Sequence, residues 1–334
     1  MKSSLNLYFY NVADCHLIDG HHYREIPAIQ KLNPEYYRKV TDPDLADFII
    51  FPVLFSDVGT SQVENPDHIY GYFKTLPLWE KFESKHVFFL LGPDTWFPLC
   101  NKAVVFRTSV HRKYPDINVV AYPFFVDDIE GSTDYSQIVY NTSFTGFTQS
   151  WSGRSDLVHT LKQSQNLNAF VAITDAFFGH LSAAQQKESR QNYIQTLQMS
   201  LTVCCPRGAG LNSIRFFETL AMGRIPILIS DFCLLPREET IPYDDFILRV
   251  PESKISELPA LLIDWIEKTS PKEIAHRCLA ARQTWQQEFS PEKIESFVWQ
   301  ALNRIKSSGY ALHPIHSTEI STFYKMLRDA GKIP

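Results

Sequence analysis

From Ser200 to Glu239 the chain reads SLTVCCPRGAGLNSIRFFETLAMGRIPILISDFCLLPREE, and these residue types suit the capture of an anion. Leu201–Cys205 is an apolar, β-prone run that predicts a buried strand. Pro206 ends it, and Arg207-Gly208-Ala209-Gly210 follows as a loop. Asn212 or Ser213 is placed to cap a helix, and Gly223 to stop it. A strand, a glycine loop and a helix N-terminus bring backbone N–H groups and the positive end of a helix dipole to one point. The Arg207 guanidinium adds a fork of donors suited to a diphosphate. On the helix, Ile214, Phe217 and Ala221 share an apolar face, while Arg215 and Glu218 share a polar one. A carboxylate at Glu218 can accept both hydroxyls of a nucleotide ribose. The alternative is a structural Arg215–Glu218 pair on a solvated face.

A second chemistry competes for the same loop. Gly208-Ala-Gly210-x-x-Ser213 comes close to a dinucleotide fingerprint, and Asp231 ends the next strand where a ribose-binding acid belongs. That reading makes the protein an NAD(P)-dependent oxidoreductase. Against it, the third glycine is a serine, Pro-Arg precedes the loop, and the loop is not in the first βα turn of the chain.

The elements that must hold these residues alternate as in an α/β protein with parallel strands. Strands are expected at Leu5–Tyr10, Ala46–Leu54, His86–Gly92, Val104–Thr108 and Asn118–Phe125, with a helix at His68–Glu83. A polar, acidic stretch at Asp127–Ser136 marks a domain junction, giving domains 1–135 and 136–334. The second series runs strand Asn141–Phe147, helix Arg154–Gln163, strand Ala169–Thr174, helix Ala183–Gln198, strand Leu201–Cys205, helix Ser213–Met222 and strand Ile225–Ser230, with helices after Ile255. Two Rossmann-like domains facing a central cleft are expected, with ligands beyond the carboxyl ends of the strands.

Bulk properties agree with a folded globular protein. The 334 residues are 44% hydrophobic, 13% aromatic and 21% charged, which fits two globular cores. A net charge of −5 without a basic run argues against nucleic acid or an anionic membrane as partner. No stretch of about 18 apolar residues spans a bilayer and the N-terminus lacks a secretory signal, so a soluble cytoplasmic protein is expected. The six cysteines (15, 100, 204, 205, 233 and 278) have no metal-like spacing and are expected as reduced thiols. His21 and His22, being adjacent, do not converge on one metal and are expected as solvated side chains.

The order of motifs along the chain resembles the exostosin domain of glycosyltransferase family 47. The most specific block is Cys205-Pro206-Arg207-Gly208, Ser213-x-Arg215-Phe216-Phe217-Glu218, Gly223-Arg224-Ile225-Pro226, Pro236 and the strand Phe246–Val250. Upstream, Tyr23-Arg24-Glu25-Ile26-Pro27, Asp42 through Asp47, Phe51-Pro52-Val53, Trp79, His86–Phe89, Asp94, Phe144-Thr145-Gly146 and Arg154 are similar to further family segments. The resemblance implies a GT-B fold and an inverting transfer from a nucleotide-sugar, usually UDP-linked, to a glycan acceptor, with the donor bound in the C-terminal half. Arg207, Arg215 and Arg154 would face the diphosphate and Glu218 the ribose, with Gly146 and Gly208 keeping the backbone close. The expected base is Asp94, at the carboxyl end of the His86–Gly92 strand, with Glu25 and then His16 behind it. The arginines stand in for a metal, so no cofactor is expected. Arg224 stands where the family commonly has Cys, and Pro93 where it has His. A catalytically inactive, glycosyltransferase-like partner subunit is a further alternative.

Overall fold

The computed structural model describes residues 4–11, 23–25, 32–56, 73–91, 102–113, 118–129, 135–174 and 181–310, with backbone only for 23–25, 53–56 and 91. The chain divides into two compact units. The first comprises Met1–Pro123, Phe232–Pro236 and Ile294–Pro334; the second comprises Phe124–Asp231 and Arg237–Lys293.

In the first unit, strands β1 (Leu5–Phe9), β2 (Tyr23–Glu25), β3 (Tyr37–Lys39), β4 (Phe48–Ser56), β5 (His86–Leu91), β6 (Val104–Arg107) and β7 (Val119–Ala121) form one sheet. The order is β3-β1-β4-β5-β6-β7 with every neighbour parallel, and β2 lies antiparallel on β4. Phe48–Phe51, Val87–Phe89 and Val104–Phe106 are completely buried, as expected of parallel strands covered on both faces. The β4–β5 register shifts between Ile50 and Leu54, where Pro52 has no N–H for the ladder.

The expected helix His68–Glu83 survives in the described residues as a short α1 (Trp79–Phe82) followed by a 3₁₀ turn, Glu83–Lys85. Pro77 breaks the pattern. The N–H of Leu78 goes instead to the Tyr10 hydroxyl, 3.2 Å away. His86 is fully buried beneath this turn, its Nδ1 2.8 Å from Phe82 O and its Nε2 2.8 Å from Tyr10 Oη. Burial pushes its pKa down to about 4, so the ring is neutral: Nδ1–H donates to the carbonyl and Nε2 accepts from the hydroxyl.

The second unit continues β8 (Tyr140–Gly146), α2 (Ser152–Gln163), β9 (Ala169–Ile173), α3 (Ala183–Gln198), β10 (Ser200–Pro206), α4 (Ile214–Ala221), β11 (Ile225–Ile229), β12 (Leu248–Arg249), α5 (Leu258–Lys268) and α6 (Pro271–Thr284). Its parallel sheet has the order β12-β11-β10-β8-β9. Counting the parallel strands within each unit, the second follows the doubly wound order 2-1-3-4-5 and the first, with β2 set aside, the order 2-1-3-4-5-6, so the expected α/β class with two Rossmann-like units is what the chain adopts.

The domain boundaries differ from those expected from composition. The first division falls at Pro123/Phe124 rather than 135/136, and the last helix, α7 (Pro291–Ser307), goes almost wholly to the first unit. Its apolar stripe is the reason: Ile294, Phe297, Val298, Leu302 and Ile305 are buried. Phe297 packs edge-on to Tyr122 at 5.8 Å, Glu295 accepts from Asn33 N at 2.7 Å, and Lys306 pairs with Asp47 at 2.6 Å. Among the described residues, no helix is long and apolar enough to cross a membrane.

Candidate functional site

In the second unit the chain leaves β8 toward β9 on one side and β10 toward β11 on the other, so the carboxyl ends of β8 and β10 define a switch point. A doubly wound sheet binds its ligand there. Gly146 ends β8 and Pro206 ends β10. The loop 207–213 leads into α4, whose end is a Schellman turn. Gly223, at φ 65°, donates to Leu220 O, and Arg224 N–H reaches Thr219 O at 3.0 Å. The start differs from expectation. Ser213 is the N-cap by position, but no side chain caps the helix, and Asn212 Oδ1 is taken by Ser213 N at 2.8 Å.

α4 is not a solvated helix with one apolar face. Arg215 through Ala221 are all buried, whereas Ile214, expected on the apolar face, is 45% exposed. Arg215 and Glu218 do not pair with each other. The Arg215 guanidinium lies over the Phe144 ring at 4.8 Å and donates through Nη2 to Thr145 O. Glu218 is bracketed by α3: Arg190 Nη1 donates to Oε1, and the Tyr193 hydroxyl donates to Oε2 at 2.8 Å.

Gly146 is required where it stands. Its φ is +150°, and a Cβ built there would lie 2.6 Å from Arg215 Nη2. Gly208 is not constrained in this way, since a Cβ would meet Arg154 Nη2 at 3.4 Å. Arg154 donates to backbone from all three of its nitrogens. Its Nε donates to Arg207 O at 2.8 Å, Nη1 to Phe147 O at 2.9 Å and Nη2 to Pro206 O at 3.3 Å. It therefore staples the two strand ends together, and burial, then the charge of Arg215, lowers its pKa. Arg207 is half-buried, stacked on Trp151 at 4.6 Å and paired with Glu252 Oε1 at 3.0 Å.

What remains at this point is a set of buried polar atoms without a hydrogen-bond partner among the described residues: Thr145 Oγ1, Ser150 Oγ, Asn212 Nδ2, and Nε and Nη1 of Arg215. An unmet buried donor costs about 1–3 kcal/mol, more if charged, so their gathering at one strand switch has the character of a binding site. The adjacent thiols are not nucleophiles. Burial raises Cys204 to about 11 and Cys205 to about 12.

Asp231, the ribose acid of the dinucleotide reading, accepts from Glu252 N at 2.9 Å and is held in the pairing that also engages Arg207. Arg224 is completely buried, with Nη2 on Gln198 O at 2.9 Å and its guanidinium 5.1 Å from the Tyr135 ring, which makes it a packing residue. In the first unit, Glu25 stands in register with Val53 on the antiparallel β2; Asp94 and His16 lie outside the described residues, as do His21 and His22. Among the described residues, no cluster of three His, Cys, Asp or Glu side chains is arranged to hold a metal ion.

The exostosin GT47 domain matches residues 11–264, the greater part of the sequence and all of the loop and helix just described. The chain belongs to this family. An exostosin-1 homolog of Caenorhabditis elegans is 39% identical over 74 residues, covering 22% of this chain and 19% of that protein. A probable glucuronosyltransferase, GUT1, of Oryza sativa is 31% identical over 72 residues, 22% of this chain and 17% of its own. The alignments thus span less than a fifth of these relatives' lengths. Among solved structures, HepE of Anabaena in complex with UDP and glucose aligns with a TM-score of 0.44 at 12% identity, over 77% of this chain and 78% of that one.

Within this exostosin chain the structure brings Gly146, Arg154, Arg207, Gly208, Asn212, Ser213, Arg215 and Glu218 to one end of one sheet. Sequence reasoning missed Arg190, Tyr193, Thr145, Ser150, Trp151 and Glu252. The i, i+3 spacing of Arg190 and Tyr193 is a weak signal that they share a face of α3.

Proposed function

We propose that the protein is an inverting glycosyltransferase that moves a sugar from a UDP-linked donor to a hydroxyl of a carbohydrate acceptor. The observation that carries the reading is the cluster of unpartnered polar atoms at the β8/β10 switch, centred on Arg215. A diphosphate supplies the acceptors these donors lack, and Arg207 is close enough in sequence and strand position to add a second cation. Glu218 would accept the ribose hydroxyls, as its place on α4 suggests. Membership of the family, and a relative named as a glucuronosyltransferase, support the sugar-transfer class.

In the proposed reaction the acceptor oxygen attacks the anomeric carbon from the face opposite the diphosphate. Its proton goes to a carboxylate base, for which the sequence offers Asp94 and then Glu25. The bond from the anomeric carbon to the phosphate oxygen breaks, and its electron pair leaves with the nucleoside diphosphate. Arg207 and Arg215 stabilise the charge that gathers there, which is the work a metal ion does elsewhere. Asn212, Ser213 and the backbone at Gly208 would complete the phosphate cradle, and Arg154 would hold its shape.

Calorimetric titration with UDP, GDP and NAD tests the reading, repeated with Arg207→Ala and Glu218→Ala. UDP binding weakened by about 1–3 kcal/mol in each variant is the expected result. Binding of NAD alone would return the loop to the oxidoreductase reading. Binding of none of the three would bring the inactive-partner-subunit reading to the front.

A further inference from the structure

Glu218 has only 7% of its side chain exposed, and both its oxygens receive donors from α3: Arg190 on Oε1 and Tyr193 on Oε2. A carboxylate this buried needs opposite charge and hydrogen bonds to stay in place. Arg190 and Tyr193 are three apart on one helix face, and the guanidinium lies 5.5 Å from the phenol ring, so the two donors brace each other. Burial, then the Glu218 charge, raises the Tyr193 pKa well above its usual value, which keeps the phenol a donor. α3 is itself fixed at its start by a capping box between Ser182 and Gln185. A carboxylate offers about four lone-pair sites, so two remain after Arg190 and Tyr193 are served. Two is the number a vicinal diol requires.

We propose that Arg190 and Tyr193 are positioning residues that aim the Glu218 carboxylate, and that they thereby set a preference for a ribonucleotide donor over its 2′-deoxy form. The inference rests on the donor-site reading above. With both donors in place the carboxylate is held in one orientation, and the ribose diol meets its free lone pairs without reorganisation. Without either donor the carboxylate turns, and the hydroxyl-dependent part of the affinity falls first.

The experiment is calorimetry with UDP and 2′-deoxy-UDP (or GDP and its 2′-deoxy form, if GDP is the ligand). Wild type is expected to prefer the ribonucleotide by about tenfold or more, the worth of one hydrogen bond to a charged acceptor. Glu218→Gln should lose most of that preference. Tyr193→Phe and Arg190→Gln should each lower it about threefold or more, with Arg190→Lys keeping more of it than Arg190→Gln. Arg190 is 37% exposed at its side chain, so its variants should fold even where Tyr193→Phe does not. A purely structural role would weaken both nucleotides equally and leave the ratio unchanged, which overturns the proposal. If Glu218→Gln loses the preference while the α3 variants keep it, the donor site stands and the positioning role falls. If wild type binds no nucleoside diphosphate, the donor-site reading fails and takes this inference with it.

Discussion

Gly146→Ala is a one-methyl perturbation whose cost follows from the geometry. The new Cβ would lie 2.6 Å from Arg215 Nη2, so the guanidinium must retreat by roughly 1 Å to reach ordinary contact. That end of Arg215 is not free to swing, because it is held between the Phe144 ring and Thr145 O. Retreat breaks a charged hydrogen bond worth about 1.5–3 kcal/mol. A non-glycine residue at φ +150° adds about 1–3 kcal/mol of backbone strain. With partial relaxation, a loss of about 2–4 kcal/mol is expected. In urea, at an m-value of about 2–3 kcal/mol/M, the unfolding midpoint should fall by roughly 1 M with m unchanged. UDP affinity should fall in parallel, about tenfold, because the displaced group is the one proposed to meet the diphosphate. The double variant Gly146→Ala, Arg215→Ala separates the terms: with the guanidinium gone, the alanine should cost only the strain. An unchanged midpoint and unchanged affinity in the single variant would refute the reasoning.

The neutral His86 makes stability depend on acid. Its folded pKa of about 4 lies below the unfolded value near 6.5, so the unfolded chain binds the extra proton first. Its contribution is intact above pH 6.5, erodes as pH falls, and is lost by about pH 4, a change of about 3 kcal/mol. His86→Gln should flatten the slope of urea midpoint against pH over that window. On the proposal that Arg207 and Arg215 carry the charge of the leaving group, sugar transfer should persist in EDTA; activity lost on chelation and restored by Mn²⁺ would assign that charge to a metal instead.

The centre of the second unit was legible because β10 and β11 are buried throughout and so read as apolar runs: Leu201–Cys205 and Ile225–Ser230 fall within a residue of them. Gly223 was legible for a local reason, a helix stop at positive φ. The partners of Glu218 were not, because Arg190 and Tyr193 belong to a polar helix whose spacing does not say which buried group it meets. Arg154 reads as a phosphate ligand in sequence, and that it also bonds three backbone carbonyls is something only tertiary geometry shows. α7 follows five α-helices of the second unit, and nothing in its own amphipathic pattern names the sheet it covers.

That return of α7 has a consequence for synthesis on the ribosome. All seven strands of the first sheet have been made by residue 121, yet the helix that packs against Tyr122 and pairs with Asp47 begins only at Pro291. At about 5–20 residues per second, the intervening stretch of some 170 residues takes roughly 10–35 s. The second unit, complete at Lys293, can close before the first one does. A nascent chain stalled in that interval would present an uncovered apolar sheet flank, the kind of surface that chaperones bind, and a stop codon just ahead of α7 should yield an insoluble product although every strand has been translated.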